Sequence, residues 1–467
     1  MRITPLPYGE PLEAFQPFAE DAIAALLDSA AIGDVRSRFS YLAVEPFSVL
    51  IATEKGALVD GQPVAGDPFT VLQDRLATCT LNDVRGPVPF CGGAVGYLAY
   101  EMGQHADRFP PLPDDALQVP QMVVGLYDCI IAFDHHRRQC WLISTGLPAT
   151  EPSARALRAE QRSLHILSRL YSGHSLPALD WKPRADWQPE RSRAAVESTI
   201  ARVIAYIHAG DIFQANLTQR MTARRPEGLD DFMLYRRLRS ISPAPFAAFL
   251  RCGDDMSVIS ASPERFLALD TTGHVETRPI KGTMRRDPDD VRDRELAAQL
   301  AASIKDRAEN LMIVDLMRND LGRICQQGSV TVPALMEVET FASVHHLVSA
   351  VTGQLRQGVS AVDLLRACFP GGSITGAPKI RAIEIIAELE QRQRGVCFGS
   401  VLHMGFNGAM DSSIAIRTLV RKGDTLVAEA GGGIVADSDP AAEYDEALLK
   451  MRPLLRAVTG DVTGEKP

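Results

Sequence analysis

An α+β fold is predicted by three features of the 467-residue sequence. Stretches with strand character and stretches with helix character come in blocks, strict strand–helix alternation is missing, and the residue balance is that of a chain with a sizeable core. Hydrophobic residues make up 46% and charged residues 23%, which sets disorder aside and allows one large domain or two to three ordinary ones.

In chain order, residues 12–30 read as an amphipathic helix. From 39 to 145, short apolar runs such as Phe47-Ser-Val-Leu-Ile-Ala52 alternate with Gly- and Pro-rich turns, so this part is expected to be mostly β. A helical stretch at 151–171 leads into 172–184, whose polar, Pro-punctuated composition reads as a linker. It separates an N-terminal region, 1–180, from a second region, 190–460. The second region opens on a helix at 191–209, followed by strands at 214–222, 247–251, 256–261 and 266–270. Helices are expected at 294–317, 361–367, 379–394 and 441–458, and no internal repeat is visible.

The formal net charge of −9, without a concentrated run of Lys or Arg, argues against a nucleic-acid or anionic-membrane surface. An anionic ligand would therefore have to be attracted by local arginines and helix ends. The eight cysteines are scattered with no CxxC pair, which indicates reduced thiols in place of a zinc knuckle or a disulfide framework. The N-terminus lacks the apolar stretch of a secretory signal, and no run of about 18 apolar residues occurs, so the expected location is the cytoplasm.

Several segments carry candidate chemistry. Arg278-Pro-Ile-Lys-Gly-Thr283 places Lys281 beside Gly282 just after a strand-like stretch. A surface turn is the ordinary reading. A nucleophilic lysine must instead be neutral part of the time, so its pKa has to fall from about 10.4 through burial or neighbouring cations. Asp439 suits an N-cap and Pro440 the first helical position, which puts Glu443 and Glu446 three apart on one helix face; Glu309 sits on another helix. Such acids ordinarily complement the helix dipole, yet carboxylates from separate helices would also suit octahedral Mg2+.

Pro370-Gly-Gly-Ser-Ile-Thr-Gly-Ala-Pro-Lys379 runs into a helix and offers bare N–H groups to an anion, or is a flexible turn. It is not a P-loop, because Gly376-Ala377-Pro378 stands where Gly-Lys-Ser/Thr is needed. The glycines of Ala430-Gly-Gly-Gly-Ile434 would let backbone approach a carboxylate closely. Arg417 alternates with apolar neighbours, a setting in which a guanidinium ordinarily has an anionic partner. Taken alone, His346 reads as a core histidine. Glu264 is a candidate general acid if its surroundings raise its pKa, although an exposed Glu264–Arg265 pair is the ordinary interpretation.

In order from Gly210-Asp-Ile-Phe-Gln-Ala-Asn-Leu-Thr-Gln-Arg220 to Glu446, these segments resemble the chorismate-utilising enzymes: anthranilate synthase component I, aminodeoxychorismate synthase component I, isochorismate synthase and salicylate synthase. The resemblance implies a large α+β unit in which two antiparallel sheets pack as a crossed β-sandwich with helices outside. It also implies a choice among the family's reactions. The variable position of Pro-Ile-x-Gly-Thr is typically alanine in anthranilate synthases and lysine in aminodeoxychorismate synthases, and here it is Lys281. Gln214 stands where the isochorismate and salicylate synthases usually carry a water-activating lysine, which points to an amine nucleophile.

Carried over residue by residue, the resemblance implies Mg2+ held through Glu309 and Glu446 with Glu443 close by, and a ring carboxylate helped by the backbone of Gly431, Gly432 and Gly433. Arg417, Gly282 and Thr283 would fix the other end of chorismate. Lys281 would attack C2 while Glu264 protonates the departing 4-hydroxyl, ammonia would then attack C4, and His346 and Ser373 would support. The product of that branch leads to p-aminobenzoate and folate. No glutaminase segment is visible, so ammonia is expected from a separate glutamine amidotransferase subunit. Ser29, Arg36, Ser37, Arg38, Phe39, Pro245, Phe246 and Ala247 are similar to the residues around bound tryptophan in the family. Two alternatives stay open: anthranilate synthase component I, and a catalytically silent tryptophan-binding regulator of an amidotransferase. Leu402-His403 departs from the Gly-Tyr that relatives often have there.

Overall fold

The computed structural model describes residues 1–460 except 32, 35, 82–85, 108, 114, 174 and 341–343. Two twelve-stranded sheets built from antiparallel neighbours dominate it, as the α+β expectation requires. In the first sheet Arg2–Leu6, Gln139–Ser144, Cys129–Asp134, Phe39–Val44 and Ile23–Asp28 lie on one side. Phe246–Cys252, Met256–Ser262, Thr418–Lys422, Thr425–Ile434 and Gln214–Arg224 continue it on the other. The seam is the pairing of Ile23–Asp28 with Phe246–Cys252. The second sheet is joined in the same way, through Gly93–Leu98 and Ser400–Gly405. Strands from both sides of the 172–184 segment therefore share both sheets.

Alternation along the strands explains why the two sheets stack. Ala25, Tyr41, Ala43, Ala248, Leu250, Met256 and Val258 of the first sheet join one large apolar cluster with Val95, Val124, Val401 and Met404 of the second. Their neighbours Ala24, Leu26, Leu42, Val44, Phe249 and Ile259 face the opposite way. There they pack with Phe232, Leu234 and Leu238 of the helix Asp231–Ile241 and with Met451, Leu454 and Val458 of the helix Pro440–Thr459. A sheet covered on both faces needs apolar residues at odd and even positions alike.

That requirement corrects the reading of residues 12–30. Only Pro11–Phe15 is α-helical, followed by a 3-10 turn at Gln16–Phe18 and then the strand Ile23–Asp28. The run Ala24-Ala-Leu-Leu27 is a central strand buried on both faces, and a continuous short apolar run does not distinguish such a strand from a buried helix. Residues 39–145 are largely β, interrupted by the helix Pro68–Ala77 and a 3-10 turn at Tyr100–His105.

The helix expected at 294–317 is two helices, Asp290–Ala302 and Ile304–Gly322. Ser303 breaks them, because its extended backbone and a side chain that accepts from the Asp306 N–H start a new helix. The helix expected at 379–394 stops at Glu390, where Gln391 adopts a left-handed conformation (φ 52°). Arg394 then turns inward. Its guanidinium donates to Glu390 and to the carbonyls of Ile374 (3.0 Å) and Asn216 (2.7 Å), and it sits over the rings of Tyr100 and Phe398. This ties the loop that carries Ser373 to the strand Gln214–Arg224.

Candidate active site

The strand Ile280–Arg285 pairs with Val344–Gln354, but its register slips between Ile280 and Thr283. At the slip Gly282 has φ +82°, and a Cβ there would come within 2.9 Å of the Asp306 carboxyl carbon. Glycine is needed for both reasons. The approach sets the strand at Gly282 against the first turn of the helix Ile304–Gly322, and Glu309 of that helix acts electrostatically on Lys281. The pKa of Lys281 lies below the ordinary lysine value, chiefly because burial penalises the ammonium; Lys450 adds to the depression, while Glu309, Glu264 and Glu446 oppose it.

Glu264 lies between the strands Met256–Ser262 and Arg265–Leu269 and is only 7% exposed. The exposed ion pair does not form. Arg265 turns to Asp411 and Glu276, whereas Glu264 is hydrogen-bonded to the Ser373 side chain and the Ile280 backbone. Burial pushes its pKa up to about 6 against the pull of Ser373, Lys281 and Arg36. A carboxyl that is raised and an amine that is lowered thus lie within electrostatic reach of each other.

The carboxylates come from two helices. Glu309 is half-buried, and burial holds its pKa above the ordinary range although Lys281 and Lys305 oppose this. Asp439 caps the helix Pro440–Thr459 through the Ala442 N–H (2.8 Å), with Pro440 at its first position. Glu443, buried in its first turn, accepts from the Ser438 hydroxyl (2.7 Å) and pairs with Lys305 (3.5 Å). Glu446 pairs with Lys450 at 2.8 Å. Desolvation pushes the Glu446 pKa up, but Lys450, Lys305 and Lys281 outweigh it and leave it below the ordinary range.

Lys450 also donates to the Gly431 carbonyl (3.0 Å), and a Cβ on Gly432 would lie 3.2 Å from Glu443 Oε2. A Cβ on Gly433 would collide with the Gln214 carboxamide. Hard oxygen donors of this kind suit Mg2+ in chemistry. Among the described residues no three acidic, His or Cys side chains are drawn together closely enough to form a finished metal cage.

Opposite these acids, His346 is buried and within 2.9 Å of the Thr283 hydroxyl through Nδ1. Burial, then Arg417 and Arg36, push its pKa down to about 4, so it is neutral at neutral pH. Arg417 has φ 50°, and burial lowers its pKa. No carboxylate forms an ion pair with it among the described residues, which makes it a cation available to an anionic ligand.

The tryptophan-like segments line a separate cavity of about 970 Å³ between the sheets. Ser29, Arg36, Arg38, Phe39, Pro245, Phe246 and Ala247 are on its wall; Ser37 is buried but not on the lining. Arg36, chelated by Asp34, also donates to the carbonyl of Pro263, the residue before Glu264. His403 belongs to this cavity, where its ring meets Tyr41 edge-on and Phe90 at a tilt. Lys305 and Lys450 are the site residues that the sequence reading missed. Each stands four positions from a candidate ligand, Lys305 from Glu309 and Lys450 from Glu446, which is the available signal.

With the sheets and the acid–amine cluster established, the comparisons define the class. The profile of the chorismate binding enzymes matches residues 29–456, and the chain belongs to that family. It is 42% identical over 446 residues to aminodeoxychorismate synthase component 1 of Klebsiella aerogenes, covering 94% of this chain and 95% of the relative. It is 38% identical over 450 residues to anthranilate synthase component 1 of Thermus thermophilus, covering 96% and 95%. The crystal structure of anthranilate synthase component I from Streptococcus pneumoniae superimposes with a TM-score of 0.79 at 33% identity, covering 90% of this chain and 92% of that one.

The Glu264 environment carries a stability signature. Its folded pKa of about 6 exceeds the ordinary 4.5, so the folded protein holds that proton more tightly than the unfolded chain does. Stability from this group is present below about pH 4.5 and is lost as pH rises through about 6. Glu264→Gln, which cannot ionise, is expected to be more stable than wild type by about 2 kcal/mol above that range and equal below it. Thermal melts at both ends check this, and an equal Tm difference at each pH would refute it.

Proposed function

We propose that this chain is the chorismate-aminating subunit of an aminodeoxychorismate synthase, converting chorismate and ammonia to 4-amino-4-deoxychorismate on the route to p-aminobenzoate and folate. One observation carries the reading: Lys281 is shifted toward the neutral amine while neighbouring Glu264 is shifted toward the protonated acid. Lys281 Nζ forms a bond to C2, both ring double bonds shift (C1=C2 to C1=C6 and C5=C6 to C4=C5), and the C4–oxygen bond breaks as Glu264 gives its proton, so the hydroxyl departs as water. Ammonia then bonds to C4, both ring double bonds shift back, and the C2–Nζ bond breaks so that the lysine leaves as a free amine.

The remaining residues bind and orient. Arg417, with Gly282 and Thr283, receives the enolpyruvyl carboxylate; neutral His346 and Ser373 hold Thr283 and Glu264 in place. The backbone of Gly431, Gly432 and Gly433 approaches the ring carboxylate, with Gln214 beside Gly433. Mg2+, held through Glu309 and Glu446 with Glu443 close by, would supply the positive charge that the ring carboxylate needs. A separate glutamine amidotransferase supplies ammonia, a reading supported by the "component 1" in the names of the relatives. Tryptophan suits the second cavity, where Phe39 and Phe246 offer rings and Arg36 and Arg38 offer cations. A cytoplasmic setting is supported by eight buried cysteines, all free. No helix among the described residues is long and apolar enough to cross a membrane.

Quenching the protein with chorismate in the absence of ammonium is expected to add mass to the Lys281 peptide, and Lys281→Ala is expected to show none. With ammonium present the product is 4-amino-4-deoxychorismate; anthranilate fluorescence without any added lyase would overturn the assignment. Glu309→Gln and Glu446→Gln are each expected to need roughly tenfold or more Mg2+ for half-maximal rate, the scale of losing one charged ligand. Wild-type magnesium titrations in both variants would remove the metal assignment.

A further inference from the structure

A helix ordinarily stays on a protein by burying an apolar stripe, and Asp231–Ile241 does so with seven of its eleven residues buried. The helix Asp290–Ala302 buries two of thirteen, Asp293 and Leu300. Its other side chains are exposed or half-buried. Its attachment therefore rests on one carboxylate and one leucine.

Both of them grip the segment that carries Lys281. Leu300 lies on Gly282, where a Cβ would come within 2.9 Å of the Leu300 Cδ1. Asp293 gathers donors from the end of the strand Ile280–Arg285 and from the strand Val344–Gln354. Arg286 Nε reaches both of its oxygens (2.9 and 2.7 Å), the Asp287 N–H donates to Oδ1 (3.0 Å), and His345 Nε2 lies 2.9 Å from the same oxygen. A carboxylate only accepts, so His345 carries a proton on Nε2, and its Nδ1 meets the Thr340 hydroxyl at 2.9 Å.

The strand pairing shows which side the helix is on. His345 stands opposite Met284, and His346 stands opposite Thr283. Side chains alternate along a strand, so Thr283 and His346 share one face while Met284 and His345 share the other. Asp293 reaches His345, which puts the helix behind the strand, on the face turned away from the Thr283–His346 hydrogen bond.

We propose that Asp293 is a positioning residue: its latch onto Arg286 and His345 holds the helix Asp290–Ala302 against the back of the Lys281–Thr283 segment, and so holds Gly282 and Thr283 where they meet chorismate; this rests on the function read above. The ladder itself is interrupted between Ile280 and Thr283, and Gly282 has φ +82°, so backbone pairing does not fix the segment. It leans instead on Leu300 and Asp306. Leu300 can press on Gly282 only while its helix is in place, and without Asp293 a single leucine remains to keep it there.

The test uses the full chain with chorismate, Mg2+ and ammonium chloride, read as chorismate consumed, together with amide hydrogen exchange of the ligand-free protein. Asp293→Ala is expected to raise the chorismate KM about tenfold or more, the scale of losing hydrogen bonds to a charged group. Exchange in residues 290–302 should quicken by a similar factor, because that helix then opens more often. Exchange in the strands Phe246–Cys252 and Gly93–Leu98, and the Mg2+ needed for half-maximal rate, should stay within about twofold. Asp293→Asn keeps an acceptor oxygen and is expected to restore most of the KM. His345→Gln shows the same split in smaller measure if the alanine variant does not fold. Faster exchange of the helix with an unchanged chorismate KM overturns the latch, as does exchange of the helix that Asp293→Ala leaves unchanged. Exchange that quickens in every strand alike assigns Asp293 to overall stability and overturns it too. Wild type that consumes chorismate without aminating C4 overturns the function reading and leaves the latch standing.

Discussion

Everything at the candidate site depends on the partial burial of one ammonium group near helices that carry acids. Lys281 is held there by Gly282, whose left-handed backbone and missing Cβ let the strand lie against Asp306. The carboxylates of Glu309, Glu264 and Glu446 favour the charged lysine, but burial and Lys450 work against it and prevail. The same enclosure raises Glu264 and Glu309. Acid and amine are thereby displaced in opposite directions by one cause, which is the arrangement a covalent displacement with general-acid assistance requires.

The two large sheets serve this arrangement by fixing elements distant in sequence. Residues before 180 and after 190 pair within each sheet, so the cavity built partly from Arg36 and Phe39 ends up one residue from Glu264, through the Pro263 carbonyl. Arg394 ties the Ser373 loop to the strand of Gln214 and Asn216. The loop beside the acid and the strand Gln214–Arg224 are thereby held by one buried guanidinium.

What was legible in the sequence was local. Asp439-Pro440 announced the helix that carries Glu443 and Glu446, and Lys281 stood out through its glycine neighbour. The strand at 23–28 was misread because a doubly buried central strand and a helix share the same apolar run. The break at Ser303 was missed because apolar periodicity carries no mark of a mid-stretch cap. Glu264 looked like half of a surface ion pair, since only the fold shows that Arg265 turns to Asp411. Lys305 and Lys450 are signalled only by their four-residue spacing from Glu309 and Glu446, whereas what they act on, Glu443 for the first and Lys281 for the second, lies more than a hundred residues away in sequence.

The direct test of this account is the titration of the Lys281 amine itself, followed by competitive acylation and peptide mass analysis across pH in the ligand-free protein. Lys281 is expected to titrate below the ordinary lysine value, and Lys450→Met is expected to move it upward by removing a neighbouring positive charge. A Lys281 that labels with the midpoint of an exposed lysine, indifferent to Lys450, would contradict it.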